Sequence, residues 1–566
     1  MKAWETIKSW GRELMQRTAV ATGMAREFRD VFEIEGVPAF RQFYESGVFP
    51  WKMIWRGVYA PWHTVDAPTI QNPNARRQLF RLHTAKAVCA ELAGLVWSEE
   101  CAVRVSSRGR TARTDAQGVP THSDPLNDFV ADVLRRNAFG EKMQAFIEQG
   151  LALGGGAVKV WAEPERRGKT TSSDSAGALP PSPEGEGREE TANDIRLGYC
   201  MADQFVPLAW DNARVYEGVF ISRQARRGRC YTRLEWHRRS GQAYVITNEL
   251  YRTETQPGAA CIDEDILGVR CPAAELAEVF PGLEPETQIR AGDSLFSYWR
   301  TPIANNLDDN SPLGVSIYAN ALETLHAIDI CYDSFVQEFR LGKKRIIVPA
   351  RFLRAVVDPQ TGRQVRYFDP NDETFVGVAD DDGNSGIHDV HVELRVEEHV
   401  AALNALFSML CLQLGFSANT FSFDERQGGI RTATEVVSEN SKTFKTIRTV
   451  QNQLRPMLEQ LVRNIIDVAI LYGVQWQGQS VESLAAGGYE VQITFDDGVT
   501  QDRQTNLNEG VRLVGAGLLS RFTFLTDPKY GQGLTEKEAL AELERIRQEK
   551  GRAFDRTQVR RIGGGD

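Results

Sequence analysis

With 566 residues, 42% of them hydrophobic and 25% charged, the chain has the composition of a folded protein large enough for more than one domain. Its net charge of −10 excludes a protein that grips nucleic acid by global electrostatics, which requires clustered Lys and Arg. The absence of a spanning apolar run excludes a transmembrane helix, and eight scattered cysteines with no CxxC pair exclude a zinc site.

Residues 1–48 mix charged and apolar positions as an amphipathic helical segment does, without the continuous apolar core of a signal peptide. The run WKMIWRGVYAPWH (51–63) reads as a packing segment interrupted by Pro61. A helix opened by Pro73 is expected over 73–98, and two more over 125–137 and 140–153. The glycines at 154–156 mark a tight turn into the strand AVKVWAE. A Gly/Ser/Pro/Glu-rich stretch, 166–193, lacks the apolar content to order itself and reads as a flexible spacer inside a hairpin. Alternating patterns at 195–206, 215–224, 230–238 and 243–251, clearest in VFISRQA and YTRLEWHR, predict an antiparallel sheet.

The stretch NNLDDNSPLGVSIYANALETLHAIDICYDSFVQEFRLGKKRIIVP (305–349) predicts a long helix over 312–341, with Ser311 as N-cap, Pro312 in the first turn and Gly342 as a left-handed stop. Residues 342–396 read as a compact α/β segment. A second helix follows over 397–414, with Val400, Leu403, Phe407, Leu410 and Leu414 forming a coiled-coil-like seam. Phe416–Arg431 forms a loop in which the Gly428-Gly429 pair allows sharp backbone change beside Asp424, Glu425 and Arg426. The capping box Thr432-Ala-Thr-Glu435 predicts a third helix to about Tyr472, kinked at Pro456, and helices are expected again after Gln504.

Catalytic signatures are weak. Arg167-Gly168-Lys169-Thr170 ends like a phosphate-binding loop, but Glu163 stands where the first glycine is needed. Asp380, Asp381 and Asp382 do not satisfy a calcium-loop pattern, because Gly383 arrives too early. Asp496, Asp497 and Asp502 leave open a metal-dependent DNA-processing enzyme, although Asp-Gly after a strand is a standard turn. A disulfide between Cys261 and Cys271 is conceivable, while a reducing compartment is the better reading. The long helix carries Glu323, Asp329, Asp333 and Glu338, read as a solvated acidic face. The third helix carries Lys442, Lys445 and Arg448, a basic belt or a set of subunit contacts.

Three segments carry a resemblance: 305–349 above, NPNARRQLFRLHTAKAVCAELAGLVWSEECAVRV (72–105), and GFSANTFSFDERQGGIRTATEVVSENSKTFKTIRTVQNQLRPMLEQL (415–461). In order and spacing they resemble the portal proteins of tailed double-stranded DNA phages, in the branch found in phages of Gram-positive hosts. The resemblance implies an α+β portal fold, ring-forming, with no enzymatic activity, cofactor, metal or membrane. It divides the chain into an N-terminal wing (1–311), a first stem helix (312–341), a clip (342–396), a second stem helix (397–415), a tunnel loop (416–431), a kinked tunnel helix with the C-terminal wing (432–503), and a crown and tail (504–566). It places Phe421, Asp424, Glu425, Arg426, Gln427, Gly428 and Gly429 along a DNA channel. In a ring, the acidic face of the first stem helix would repel phosphates. The implied partners are further copies of the chain (twelve in the capsid), the terminase large subunit, major capsid and scaffolding proteins, a head–tail adaptor, and passing DNA. The implied location is the portal vertex of the virion, reached from the host cytoplasm. The third alternative is a tail or baseplate structural protein.

Overall fold

The computed structural model of the chain describes residues 43–67, 72–108, 124–164, 193–308 with short gaps, 311–342, four strands between 345 and 390, 393–421 except 419, 440–495, and 503–547 with short gaps. Helix α1 (Phe49–Arg56) follows a short π-helical turn, and buries Phe49, Trp51, Met53 and Ile54. The Trp-rich segment is therefore packing: Tyr318 donates its hydroxyl to the Trp51 carbonyl at 2.8 Å, and Tyr44 donates to the Phe205 carbonyl at 2.6 Å.

The helix expected from residue 73 begins only at Thr84, as α2 (Thr84–Val96). Upstream of it, Arg76–Gln78 pairs with Thr64–Asp66 as a two-stranded ribbon. His83 sits in the left-handed region at φ 56°, and ends the extended stretch before the helix starts. Strand β1 (Ala102–Ser107) leads to α3 (Pro125–Arg136), whose N-cap Asp124 accepts from Leu126 N at 2.9 Å and Ser107 N at 2.6 Å. One carboxylate thus caps the helix and ties it to the strand. Helix α4 (Phe139–Leu153) ends at Gly154, φ +96°, and strand β2 (Gly155–Pro164) starts at once.

Strand β3 (Asn193–Met201) pairs with β2 from Gly156↔Met201 to Pro164↔Asn193, so the spacer 166–193 does leave and re-enter through a hairpin; its own residues lie outside those described except Asn193. Strands β4 (Phe205–Trp210), β5 (Val215–Arg226), β6 (Arg229–Ser240) and β7 (Ala243–Glu254) run antiparallel in sequence order, and Val269–Arg270 and Glu286–Ile289 both pair with β7. Strand β8 (Phe296–Arg300) completes a second sheet of order β8-β2-β3. The two sheets are joined by a buried polar cluster. Glu235 on β6 accepts from Lys159 on β2 and from Arg233, and meets His237 Nε2 at 2.9 Å, while His237 Nδ1 lies 2.8 Å from the Tyr244 hydroxyl. Burial and the Arg233 charge push Lys159 down to about 8. Cys230 is disulfide-bonded and Cys271 carries a free thiol, so the Cys261–Cys271 pairing is not formed.

Helix α5 spans Leu322–Leu341, ten residues shorter at its start than the 312–341 expected. The segment 311–318 is buried but not helical, because remote groups take its backbone polar atoms. Thr301 Oγ1 donates to the Val315 carbonyl at 2.6 Å, Asn305 Nδ2 to the Leu313 carbonyl at 3.0 Å, and Ile317 N to the Leu151 carbonyl at 3.0 Å. Ser311 makes a local turn with Leu313 N instead of capping a helix. Gly342 has φ −75°, so the helix ends without the left-handed stop. Gly154 and Gly314 cross backbone to backbone: a Cβ on either would fall 2.1–2.2 Å from the other's carbonyl oxygen.

Between α5 and the next helix, Arg345–Ile347 pairs with His388–Val390, and Arg354–Val357 with Gln364–Tyr367. Helix α6 (Val396–Leu414) matches its expected bounds and buries Leu403, Phe407, Leu410, Cys411 and Leu414. Gly415 closes it in the left-handed region at φ +79°. Helix α7 (Ser441–Leu471) runs through Pro456, which lies on its exposed side, while Ile447, Val450, Leu454, Leu458, Leu461, Ile465 and Val468 face the core. The capping box at Thr432 lies outside the described residues. Helix α7 packs across α2, β2, β8 and β9 (Tyr489–Thr494), and β9 pairs with β1, so a single core joins segments from both halves of the chain. Helices α8 (Arg503–Gly515) and α9 (Arg521–Thr526) follow, in the region where C-terminal helices are expected.

Candidate functional site

The candidate site is the antiparallel pair α5 and α6 with the two segments that hold it. Four carboxylates were expected to form a solvated face on α5; the structure corrects this for three of them. Asp333 is buried and accepts a two-pronged ion pair from Arg77, at 2.7 Å on each oxygen, and a third bond from Phe80 N at 3.0 Å. One turn earlier, Asp329 accepts from Leu82 N at 3.0 Å and meets His63 Nε2 at 3.1 Å. The spacing explains the fit: i and i+4 on a helix lie on one face, and the amides of residues 80 and 82 leave an extended strap on one side. Two carboxylates on α5 therefore hold the strap 77–82 along the helix. The Trp62 ring stacks on His326 at 5.0 Å on the same side. The Arg77 guanidinium holds the Asp333 carboxyl below the usual range, and Arg77 is raised in return.

Glu338, near the end of α5, is engaged by Arg395 at the start of α6, with Nε 3.1 Å from one oxygen and Nη2 2.8 Å from the other. Arg395 holds it down at about 2. The Phe335 ring meets His399 of α6 at 5.7 Å. Only Glu323 of the four is exposed and outside these contacts.

The other end of α6 is fixed to the start of α7. Thr446 Oγ1 donates to the Gly415 carbonyl at 2.6 Å, Ser417 N to Thr443 Oγ1 at 2.8 Å, and Lys442 Nζ to the Leu412 carbonyl at 3.2 Å. Lys442, Lys445 and Arg448 are exposed on successive turns of α7, so the three expected cations do share one face. Phe421 packs on Phe416 at 5.4 Å and is half-buried against the core. Asp424, Glu425, Arg426, Gln427, Gly428 and Gly429 lie outside the described residues, as do Asp380–Asp382, Asp496, Asp497 and Asp502. Among the described residues no group of three His, Cys, Asp or Glu could hold a metal ion, and no helix is long and apolar enough to cross a membrane.

Sequence reasoning missed Arg77, His63 and the strap. The available signal was two carboxylates four residues apart on a largely apolar helix, which call for partners rather than solvent. In comparisons with known proteins, the family described as "Phage portal protein, SPP1 Gp6-like" matches residues 63–554. No curated protein matches the chain.

Proposed function

Because the chain belongs to the SPP1 Gp6-like phage portal protein family, we propose that it forms a closed ring, of twelve copies in the capsid, that serves as the DNA channel at one capsid vertex. In this reading a separate ATP-driven terminase drives DNA through the ring during packaging. A head–tail adaptor joins it afterwards, and DNA leaves by the same path on ejection. Major capsid and scaffolding proteins surround it during assembly in the host cytoplasm. The ring itself is structural and carries no catalytic step.

The observation that best supports this is the helix pair itself. Helices α5 and α6 correspond to the two stem helices, the strands between them to the clip, and α7 to the tunnel helix. Such a conduit needs rigidity and no base-specific contacts, because passing DNA presents only its backbone. The Arg77–Asp333 ion pair and the Leu82 amide bonded to Asp329 tie α5 to its strap and supply rigidity at the middle of the rod. Electron micrographs of the purified protein should show closed rings with a central hole. A compact monomer by light scattering across a wide concentration range would overturn the reading.

The loop between α6 and α7 is the proposed constriction, with Asp424, Glu425, Arg426 and Gln427 meeting the phosphate backbone and Gly428-Gly429 supplying backbone freedom. Replacing both glycines with alanine should leave rings and procapsids intact and reduce packaged or retained DNA. Normal packaging and retention in that variant would make the loop a plain connector.

A further inference from the structure

Where the end of the strap passes from α5 to α2 there is a cavity of about 10 Å³, whose lining includes His63, His83, Thr84, Ala85, Leu325 and Asp329. Among the described residues, His63 Nδ1 and Thr84 Oγ1 find no hydrogen-bond partner. Both residues are more than nine-tenths buried, with His63 2% and Thr84 8% exposed. A polar atom left unpaired that far from solvent is costly, so each calls for a partner inside the cavity.

The bonds already made decide the chemistry of that partner. His63 Nε2 lies 3.1 Å from Asp329 Oδ2, and a carboxylate only accepts, so in the neutral ring Nε2 carries the proton. Nδ1 is then a bare acceptor and needs a donor. Thr84 and Ala85 open the first turn of α2, where His83 in the N-cap position supplies no side-chain bond. The leading amides of the helix therefore lack an acceptor. A chloride would suit those amides, but it has no proton for Nδ1 and would face the Asp329 carboxylate across the same small space. A water molecule donates and accepts. A cavity of this volume holds about one, and a buried water uses about two to four polar partners.

We propose that the cavity is a binding site for a single internal water molecule, which donates to His63 Nδ1, bonds Thr84 Oγ1 and accepts at the start of α2. The consequence is a bridge between two helices. Asp329 of α5 holds His63, His63 holds the water, and the water holds α2, along a path separate from the strap's own bonds through Phe80 and Leu82. The site lies within one copy of the chain, so it stands or falls independently of the ring.

The test uses the full-length protein. A density map that resolves ordered waters should show one peak within about 3.2 Å of both His63 Nδ1 and Thr84 Oγ1. Thr84→Val keeps the shape of the side chain and removes its hydroxyl: the peak should be lost, and the Ala85 amide should exchange about tenfold faster. Thr84→Ser should retain the peak and the parent exchange rate. Crystals grown in bromide separate water from an anion, because an anomalous peak at the site would overturn the assignment. A direct bond between Nδ1 and Oγ1 with no peak between them would overturn it too, as would a peak that persists unchanged in Thr84→Val. Should Thr84→Val fail to fold, the parent map and the bromide crystals decide the matter alone.

Discussion

Gly154→Ala should destabilise the protein by about 3 kcal/mol, the range in which a strained backbone and a core clash combine. Two penalties coincide there. Gly154 holds φ +96°, which an alanine adopts only under strain, and its Cβ would fall 2.2 Å from the Gly314 carbonyl oxygen. That oxygen belongs to backbone and has no rotamer to escape into. Gly314→Ala meets the same crossing from the other side, at 2.1 Å from the Gly154 oxygen, and should cost a similar amount without the strain of a positive φ. Gly140 supplies the opposite sign. It lies inside α4 with open space around its Cβ, so Gly140→Ala should stabilise the helix by about 0.5–1 kcal/mol. Thermal unfolding midpoints of the three variants check the order. A Gly154→Ala protein as stable as the parent would mean that the crossing is looser than described.

The second large effect is expected from the carboxylate clamp. Asp333→Ala removes the acceptor of Phe80 N and the partner of Arg77, and should cost about 2 kcal/mol, at the lower end for breaking a buried pair because Arg77 is partly open to solvent. The side chain of Asp333 is 6% exposed and that of Arg77 38%, so most of the loss comes from the orphaned amide. Hydrogen exchange separates this from general loosening: the Phe80 amide should speed up in Asp333→Ala, and the Leu82 amide in Asp329→Ala. The pH dependence follows from the direction of the shift. Asp333 is held below its unfolded value, so its contribution is complete above the unfolded carboxylate pKa of about 4 and is lost as pH falls through the lower folded value. The difference between the parent and Asp333→Ala should therefore shrink at acid pH. A difference that grows instead would contradict the assignment.

Sequence reasoning located the elements whose signal is local. The period-two alternation of VFISRQA and YTRLEWHR sits in β5 and β6, and α6 lies within a residue of the bounds expected from its seam, because these features reside within the segment itself. It failed where the deciding partner is remote. Ser311-Pro312 has the composition of a helix start, yet Thr301, Asn305 and Leu151 take the backbone groups that a helix would have used. Residues 73–83 read as helix, but the amides of Phe80 and Leu82 belong to carboxylates about 250 positions later. The acidic residues of α5 were found and misassigned for the same reason: their type was visible and their partners were not. The seam of α6 was legible.

The pairing of β1 with β9 has a consequence for biogenesis. Ala102–Ser107 finds its strand partner only at Tyr489–Thr494, so on a ribosome the first strand waits for nearly four hundred residues of further synthesis. In the interval the entire stem and clip emerge as an excursion whose ends are tied together last. Closing so large a loop is slow and leaves apolar surface uncovered on the nascent chain. The portion that awaits closure includes α5 and α6. A chain truncated before residue 489 would leave Ala102–Ser107 without its strand partner.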